Sequence, residues 1–107
     1  MAAPRQKEIW WVNFPQPAGR RPALILTRSD ATAHMTNVTV APITRTIRGI
    51  DAEVVLSPEH GVPSVCAVSL DNIATVPRSL LEKRIITLDS DTMAEVFAAI
   101  RFVFAMP

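Results

Sequence analysis

Two polar side chains at the ends of apolar segments have the chemistry to bind a phosphate group. Arg21 comes directly before the apolar run 22–26, and Thr44 ends the segment 38–44. A planar guanidinium offers a fork of N–H donors that matches two phosphate oxygens, and a hydroxyl adds another donor. Strands hold such groups in fixed geometry, so the pattern indicates phosphate chemistry. The structural alternatives are an ion pair of Arg21 with Asp71 and a Thr44 that only ends its strand.

Several other chemistries are excluded by the residue inventory. The sequence has three glycines and no glycine-rich phosphate loop, no pair of cysteines and no nucleophile elbow. His34 and His60 are isolated in predicted loops, where an exposed or structural histidine is more common than a metal ligand. The lone Cys66 lies among strand-forming apolar residues, as a core cysteine does. We therefore expect a reaction that uses no metal and no cofactor.

The composition is that of a folded globular chain. Of its 107 residues 49% are hydrophobic and 20% are charged, unlike disordered chains. The length predicts one domain over residues 1–107. The apolar stretches are much shorter than the roughly 20 residues that cross a bilayer, and the N-terminal residues lack the apolar core of a secretory signal. We expect a cytoplasmic protein with no membrane contact.

Charge is distributed unevenly along the chain. Residues 1–50 contain seven basic and two acidic side chains, whereas residues 51–107 contain four basic and eight acidic ones. Such an asymmetry fits one basic face for a polyanion and another face for a different partner or a second copy of the chain. Chance clustering on a solvated surface would give the same counts, so charge alone does not decide between the two.

Most of the chain has the character of short strands. Residues 8–14 (EIWWVNF) are rich in strand formers, and residues 15–20 have the proline and glycine of a turn. Further strands are predicted over 23–26, 37–41, 52–56 and 64–70, with loops over 29–36 and 57–63. Trp10 and Trp11 face opposite sides of the first strand, so one belongs to the core. The other is available for stacking on a base or for a subunit interface.

The last third of the sequence contains the predicted helices. Pro77 suits the first position of a short helix over 77–83, which a last short strand over 84–88 follows. Apolar residues at three-and-four spacing predict a helix over 91–104, capped by Asp89 or Ser90. The predicted fold class is therefore mainly β with a C-terminal α-helix. Six or seven strands would form a small, strongly curved antiparallel sheet or an SH3-like barrel.

Five segments together resemble the MazF/PemK (Kid) toxins of bacterial toxin–antitoxin systems. They are 8–14 (EIWWVNF), 19–26 (GRRPALIL), 40–44 (VAPIT), 69–76 (SLDNIATV) and 80–85 (LLEKRI), in the family's order. The resemblance implies a PemK-type barrel and a ribosome-independent, sequence-specific endoribonuclease. Such an enzyme cuts single-stranded RNA, either mRNA or the loops of rRNA or tRNA. The substrate's own 2′-hydroxyl attacks the adjacent phosphate without a metal, leaving a cyclic phosphate and a free 5′-hydroxyl.

The resemblance also assigns site residues. The family's catalytic arginine and threonine match Arg21 and Thr44. Arg21 would stabilise the charge that develops on the phosphate, and Thr44 would donate a hydrogen bond to it or orient the 2′-hydroxyl. Asp71, which matches an acidic or amide position of the family, and His34 are candidates for a further acid or base. Contacts to RNA are expected from Arg20, Arg45, Arg48, Phe14 and Ser69.

The chain departs from the family pattern at a few positions. Lys7 stands where the family usually has glycine, which affects how the chain enters the first strand. The turn 15–20 is shorter than the family's loop, which alters recognition of RNA. Arg45 replaces a small hydroxyl residue, and Ser69 stands where some members have an arginine that assists the reaction.

The family further implies a homodimer and a cognate, MazE-like antitoxin. The antitoxin would lay an acidic, initially disordered segment over the basic groove. Two other functions stay open. CcdB, a toxin of similar fold, inhibits DNA gyrase by binding without catalysis, although it resembles this chain little at Arg21 or Thr44. The third possibility is an RNA-binding module without catalytic activity.

Overall fold

The computed structural model describes residues 3–107, in which seven strands form one antiparallel sheet. The strands are β1 (Glu8–Asn13), β2 (Arg20–Ile25), β3 (Asn37–Thr44), β4 (Glu53–Leu56), β5 (Cys66–Ser69), β6 (Ala74–Pro77) and β7 (Leu81–Thr87). Their order is β4-β5-β3-β2-β1-β7, and β6 pairs with β3 beside this path. The mainly β fold with a C-terminal helix is confirmed.

The long strand β3 accounts for much of the curvature. Residues 37–40 of β3 pair with β6, whereas residues 43–44 pair with β5. The same edge of β3 thus meets two different strands, which turns the sheet between its two halves. Among residues 3–107 no ladder joins β7 to β4, so the sheet is strongly curved but not closed into a barrel.

Two helices and three 3-10 turns make up the other regular elements of residues 3–107. Helix α1 (Ser29–Thr32) is a single turn, and α2 (Ser90–Val103) packs against β4 and the 3-10 turn Leu70–Asn72. The other 3-10 turns are Pro58–His60 and Arg78–Leu80. The Oδ1 atom of Asp89 accepts a hydrogen bond from the Thr92 N–H at 2.7 Å, which confirms the predicted helix cap. In the part of the chain described, neither helix is long and apolar enough to cross a membrane.

The apolar side chains form two clusters on opposite faces of the sheet. The larger cluster lies under α2 and includes Ile9, Leu24 and Met93. The smaller cluster contains Trp10 and Val12 of β1 together with apolar residues of β2, β3, β6 and β7. Neighbouring residues of β1 therefore serve different cores, as alternation along a strand requires.

The same alternation distinguishes the two tryptophans. Trp10 is buried, and its Nε1–H donates a hydrogen bond to Oε1 of the buried Glu8 at 3.0 Å. Trp11 is half-buried and carries the Arg20 guanidinium over its ring, 4.1 Å from the centroid. Trp10 is thus the core residue, and Trp11 is the more exposed of the two.

Two predicted segments differ from the structure. The predicted loop 29–36 contains the one-turn helix α1. The predicted helix 77–83 is wrong: after the 3-10 turn Arg78–Leu80, β7 begins at Leu81. Leu81 pairs with Val12 and is buried in the smaller core, so pairing with β1 outweighs the helical pattern of this segment. Strand β6 occupies a segment for which no element was predicted.

Lys7 has a strained backbone. Its φ is +82°, in the left-handed region that favours glycine. Hydrogen bonds fix its main chain on both sides, because its N–H donates to the Ile25 carbonyl at 3.3 Å and its carbonyl accepts from the Leu88 N–H at 2.9 Å. A glycine at this position would enter β1 without that strain.

Candidate active site

Arg21 and Thr44 lie just beyond the last pair of the ladder between β2 and β3. That ladder pairs Ile25 with Val40, Leu24 with Ala41 and Ala23 with Pro42. Both residues lie at the same edge of the sheet, because Arg21 is near the start of β2 and Thr44 ends β3. The guanidinium and the hydroxyl that the sequence singled out therefore lie at the same end of two paired strands, and both line the same surface clefts.

Arg21 keeps an unused donor inside the protein. Its Nη2 donates a hydrogen bond to the Ala18 carbonyl at 3.2 Å, which holds the guanidinium against the turn between β1 and β2. Its Nε is buried and, within residues 3–107, is the buried side-chain polar atom that has no hydrogen-bond partner. Leaving a buried donor unpaired costs about 1–3 kcal/mol. A bound anion would supply the missing acceptor.

Thr44 also has a donor to offer. Its Oγ1 accepts a hydrogen bond from the Thr46 N–H at 3.0 Å. This bond occupies a lone pair and fixes the side chain, while the hydroxyl proton stays free to be donated. The pair can therefore present a charged donor and a neutral donor to one phosphate.

A cleft of about 470 Å³ opens on one side of this pair, and we call it the Phe14 cleft. Its walls combine apolar surface with hydroxyl, amide and guanidinium groups. It is lined by Phe14, Ala18, Arg21, Pro42, Thr44, Thr46, Arg48, Ser69, Asn72 and Ala74.

A buried carboxylate holds Arg48 at the Phe14 cleft. The Glu53 side chain is 1% exposed, and its Oε1 accepts hydrogen bonds from the backbone N–H groups of Arg48 and Gly49 at 2.9 and 3.1 Å. Its Oε2 accepts from Nε of Arg48 at 3.2 Å. Burial raises the pKa of Glu53, but these hydrogen bonds and the Arg48 charge outweigh burial and hold the pKa below its ordinary value of 4.5.

Asp71 pairs with Arg48 and not with Arg21. Its Oδ2 accepts a hydrogen bond from Nη2 of Arg48 at 3.3 Å, so the alternative ion pair of Arg21 with Asp71 is not formed. Ser69 and Asn72, which lie on either side of Asp71 in the sequence, line the Phe14 cleft. Asn72 donates its Nδ2–H to Oγ of the buried Ser69 at 2.8 Å. Asp71 is thus bound to an arginine, Arg48, that lines the Phe14 cleft.

A second cleft, of about 410 Å³, opens on the other side of Arg21 and Thr44, and we call it the Trp11 cleft. It is mostly apolar, with arginines at Arg20 and Arg45. It is lined by Ile9, Trp11, Arg20, Arg21, Pro22, Ile43, Thr44, Arg45, Val62, Pro63, Ser64, Cys66 and Ile85. Cys66 is buried, as predicted, and burial raises the pKa of its thiol.

Arg20 is fixed at the Trp11 cleft by two contacts. Its Nε donates to Oε1 of Glu82 at 2.6 Å, and its guanidinium lies on the Trp11 ring. About half of the Arg20 side chain is still exposed, so one part of it faces the solvent side of the cleft.

Most of the predicted site residues lie around these two clefts, and His34 does not. Phe14, Ser69 and Arg48 line one cleft with Arg21 and Thr44, while Arg20 and Arg45 line the other. His34 is exposed and precedes β3, whose opposite end carries Thr44. The seven steps along that strand span about 23 Å, which is too far for His34 to act on a group held by Thr44.

Three polar residues of this site were not singled out from the sequence. Thr46 and Asn72 lie in short polar segments that have no distinguishing spacing. Glu53 offered a signal, because it is an acid within the apolar segment 52–56 and an acid that a strand buries needs a partner.

The comparisons with known proteins give one family. The family described as "PemK-like, MazF-like toxin of type II toxin-antitoxin system" matches residues 5–104. A Mycobacterium tuberculosis protein named "Probable endoribonuclease MazF2" is 38% identical over 98 residues, which are 91% of this chain and 94% of that protein.

Two solved structures extend the likeness to the fold. The structure "Mycobacterium tuberculosis toxin MazF-mt6" has a TM-score of 0.86 and 36% identity, covering 94% of this chain and 98% of that chain. A MazE-MazF crystal structure from Deinococcus radiodurans has a TM-score of 0.83 and 29% identity, covering 99% of this chain and 100% of the matched chain.

Proposed function

The chain belongs to the family of PemK-like, MazF-like toxins of type II toxin–antitoxin systems, and on that basis we propose that it is a toxin with endoribonuclease activity. Its substrate is single-stranded RNA. The gyrase-binding alternative is not supported, because relatives that align along most of the chain are named endoribonucleases.

The placement of Arg21 and Thr44 in the shared lining of two clefts carries this proposal. The buried Nε–H of Arg21 lacks an acceptor, and the Thr44 hydroxyl has a proton to donate. Donors prearranged at the position of a developing charge are worth more in a cleft than in water, since they need no reorganisation. Two donors between two clefts suit a phosphate inside an RNA strand, because the strand can continue into both clefts.

The reaction that fits these groups uses the nucleophile of the substrate. The 2′-hydroxyl oxygen attacks the adjacent phosphorus, the bond from phosphorus to the 5′-oxygen breaks, and the products are a 2′,3′-cyclic phosphate and a 5′-hydroxyl. One proton leaves the 2′-hydroxyl and one is added to the 5′-oxygen. Arg21 stabilises the charge on the non-bridging oxygens, and Thr44 donates a hydrogen bond to one of them. DNA lacks the nucleophile.

Asp71 is the acidic group available for proton transfer near these donors. It neighbours Asn72 of the Phe14 cleft and is bound to Arg48, which lines that cleft. We therefore retain Asp71, and not His34, as the candidate acid or base. The proposed reaction needs no metal or cofactor, since the donors are protein side chains.

The partners follow from the family. A cognate antitoxin would cover the clefts that contain Arg20, Arg21, Arg45 and Arg48, and the RNA and the antitoxin would compete for them. The matched structure from Deinococcus radiodurans contains MazF with MazE, which supports a partner of this kind. We also propose that the chain acts as a homodimer in the cytoplasm.

Cleavage of matched RNA and DNA tests the proposal. The purified chain is incubated in EDTA with a mixed RNA pool and with the same sequences as DNA, and new ends are mapped and identified chemically. We expect cuts in RNA alone, with cyclic phosphate and 5′-hydroxyl ends. An intact RNA pool that is nevertheless bound by the protein would point to the RNA-binding module without catalysis.

A further inference from the structure

An RNA that is cut internally has a nucleoside on each side of the reacting phosphate. Arg21 and Thr44 line both the Phe14 cleft and the Trp11 cleft, so they form the ridge between the two. A phosphate bound on this ridge would send one neighbouring nucleotide toward each cleft. This step rests on the proposed function, which places the phosphate at Arg21 and Thr44.

The two clefts differ in chemistry. The Phe14 cleft contains hydroxyl and amide groups at Thr46, Ser69 and Asn72, which can form hydrogen bonds with a base edge. The Trp11 cleft, whose walls are mostly apolar like those of the Phe14 cleft, contains the stack of Arg20 on Trp11. Stacking surfaces accept any base, whereas hydrogen-bonding groups distinguish bases.

Arg20 is better placed for stacking than for a phosphate. Its Nε is bound to Glu82 at 2.6 Å, so a neighbouring carboxylate already offsets its charge. Contact with Trp11 on one side and with Glu82 at its edge holds the guanidinium plane in one orientation. Bases stack on arginine planes as well as on aromatic rings, and a fixed plane loses little freedom when a base binds.

We propose that the Trp11 cleft is a stacking subsite for one of the two nucleobases that flank the reacting phosphate, and that this base lies on the Arg20 guanidinium. The base would extend the stack that Trp11 and Arg20 already form. The Phe14 cleft would receive the other base and read its edge. Recognition would therefore be strict on one side of the cleaved bond and tolerant on the other.

This arrangement also explains a requirement for single-stranded RNA. Two adjacent bases that enter separate clefts on either side of a ridge must be unstacked from each other. A paired helix keeps neighbouring bases stacked, so it cannot supply both bases at once.

An abasic scan tests the subsite through binding. A short RNA carrying the cleavage sequence, or a sequence selected for binding if none is cut, is given 2′-deoxyribose throughout to prevent cleavage. A residue without a base is then moved through each position. We expect two adjacent positions at which loss of the base weakens binding, by about tenfold at the stacking position.

The variant Arg20→Lys separates stacking from charge, because lysine keeps the positive charge and lacks the plane. We expect Arg20→Lys to bind the intact oligonucleotide about tenfold more weakly than the parent. At one of the two positions, removing the base should not weaken binding by Arg20→Lys any further, whereas at the other position it should weaken binding as it does for the parent. Glu82→Gln, which leaves Arg20 in place but weakens its tether, should give a smaller loss at the same position. Thermal unfolding of each variant verifies that the fold is retained.

The outcomes separate this inference from the proposed function. The stacking subsite is overturned if Arg20→Lys binds every oligonucleotide as the parent does. It is also overturned if the loss of affinity from Arg20→Lys and the loss from removing a base are independent at both positions, so that the two factors multiply. Coupling at one position supports the subsite even if the matching RNA is never cut, in which case only the nuclease proposal fails. A protein that cuts RNA without this coupling keeps its function and loses the subsite. Failure to bind any oligonucleotide contradicts both.

Discussion

Glu53 holds Arg48 at two points, through the backbone N–H and through Nε of the side chain. The position of a positive charge in the Phe14 cleft therefore depends on a buried acid outside that cleft, together with Asp71. If the Glu53 carboxylate were protonated or absent, Asp71 alone would hold the guanidinium, and the loop that follows Thr44 would lose its anchor.

Acid should weaken the fold through Glu53. Because its folded pKa lies below the ordinary value of 4.5, the carboxylate stabilises the fold fully above that pH and loses this contribution as the pH falls through the folded pKa. We expect Glu53→Gln to have a lower free energy of unfolding than the parent at neutral pH. The difference should shrink below about pH 4.5, as urea unfolding at several pH values will measure. A difference that stays constant down to pH 3 would contradict this role.

Glu53 should act on RNA only through Arg48. We expect Glu53→Gln and Arg48→Ala each to lower kcat/KM by about tenfold or more, on the scale of a lost hydrogen bond to a charged group. In the double variant the second change should add little, because the first has already removed the positioned guanidinium. If the losses in kcat/KM of the two single variants multiply in the double variant, or if the loss follows the melting temperature alone, Glu53 has only a structural role.

Asp71 and His34 should behave differently. If Asp71 transfers a proton, Asp71→Asn lowers the rate and removes a limb from the pH–rate profile, while His34→Ala leaves both unchanged. Single-turnover cleavage across the accessible pH range is the measurement. A profile that changes in His34→Ala and not in Asp71→Asn would reverse the assignment.

Replacing Lys7 with glycine should stabilise the protein. Lys7 has φ of +82°, and relief of that strain is worth about 1 kcal/mol in the free energy of unfolding. Lys7→Ala is the matched control, because alanine keeps the strain and also removes the hydrogen bond of Nζ to Ser90. Equal stability of the glycine and alanine variants in urea would show that the left-handed conformation is not the cause.

The sequence predicted the elements whose patterns are local. The strand formers of residues 8–14 predicted β1, three-and-four spacing predicted α2, and Asp89 was one of the two residues predicted to cap that helix. The helix expected over 77–83 failed because Leu81 pairs with Val12 on a strand that is distant in sequence. Pairing with a distant strand leaves no local signal, and neither does the arrangement of strands that brings Arg21 and Thr44 into the lining of the same clefts.

Residue types alone gave part of the site. Arg21 and Thr44 stood out because each is a polar residue at the end of an apolar segment. The sequence could not show whether Asp71 binds Arg21 or another arginine. In the folded protein Asp71 binds Arg48. The two tryptophans were equivalent in sequence, and only the position of the two cores made Trp10 internal and left Trp11 at a cleft.

Single-turnover cleavage by Arg21→Ala and Thr44→Val, with binding measured on uncleavable RNA, tests the central claim most directly. Arg28→Ala, which alters an exposed arginine paired with Asp30, is the control. We expect both site variants to lose about a hundredfold or more in rate while RNA binding changes little, as removal of a transition-state donor does, and the control to cut at the parent rate. Undiminished cleavage by both site variants would contradict the account.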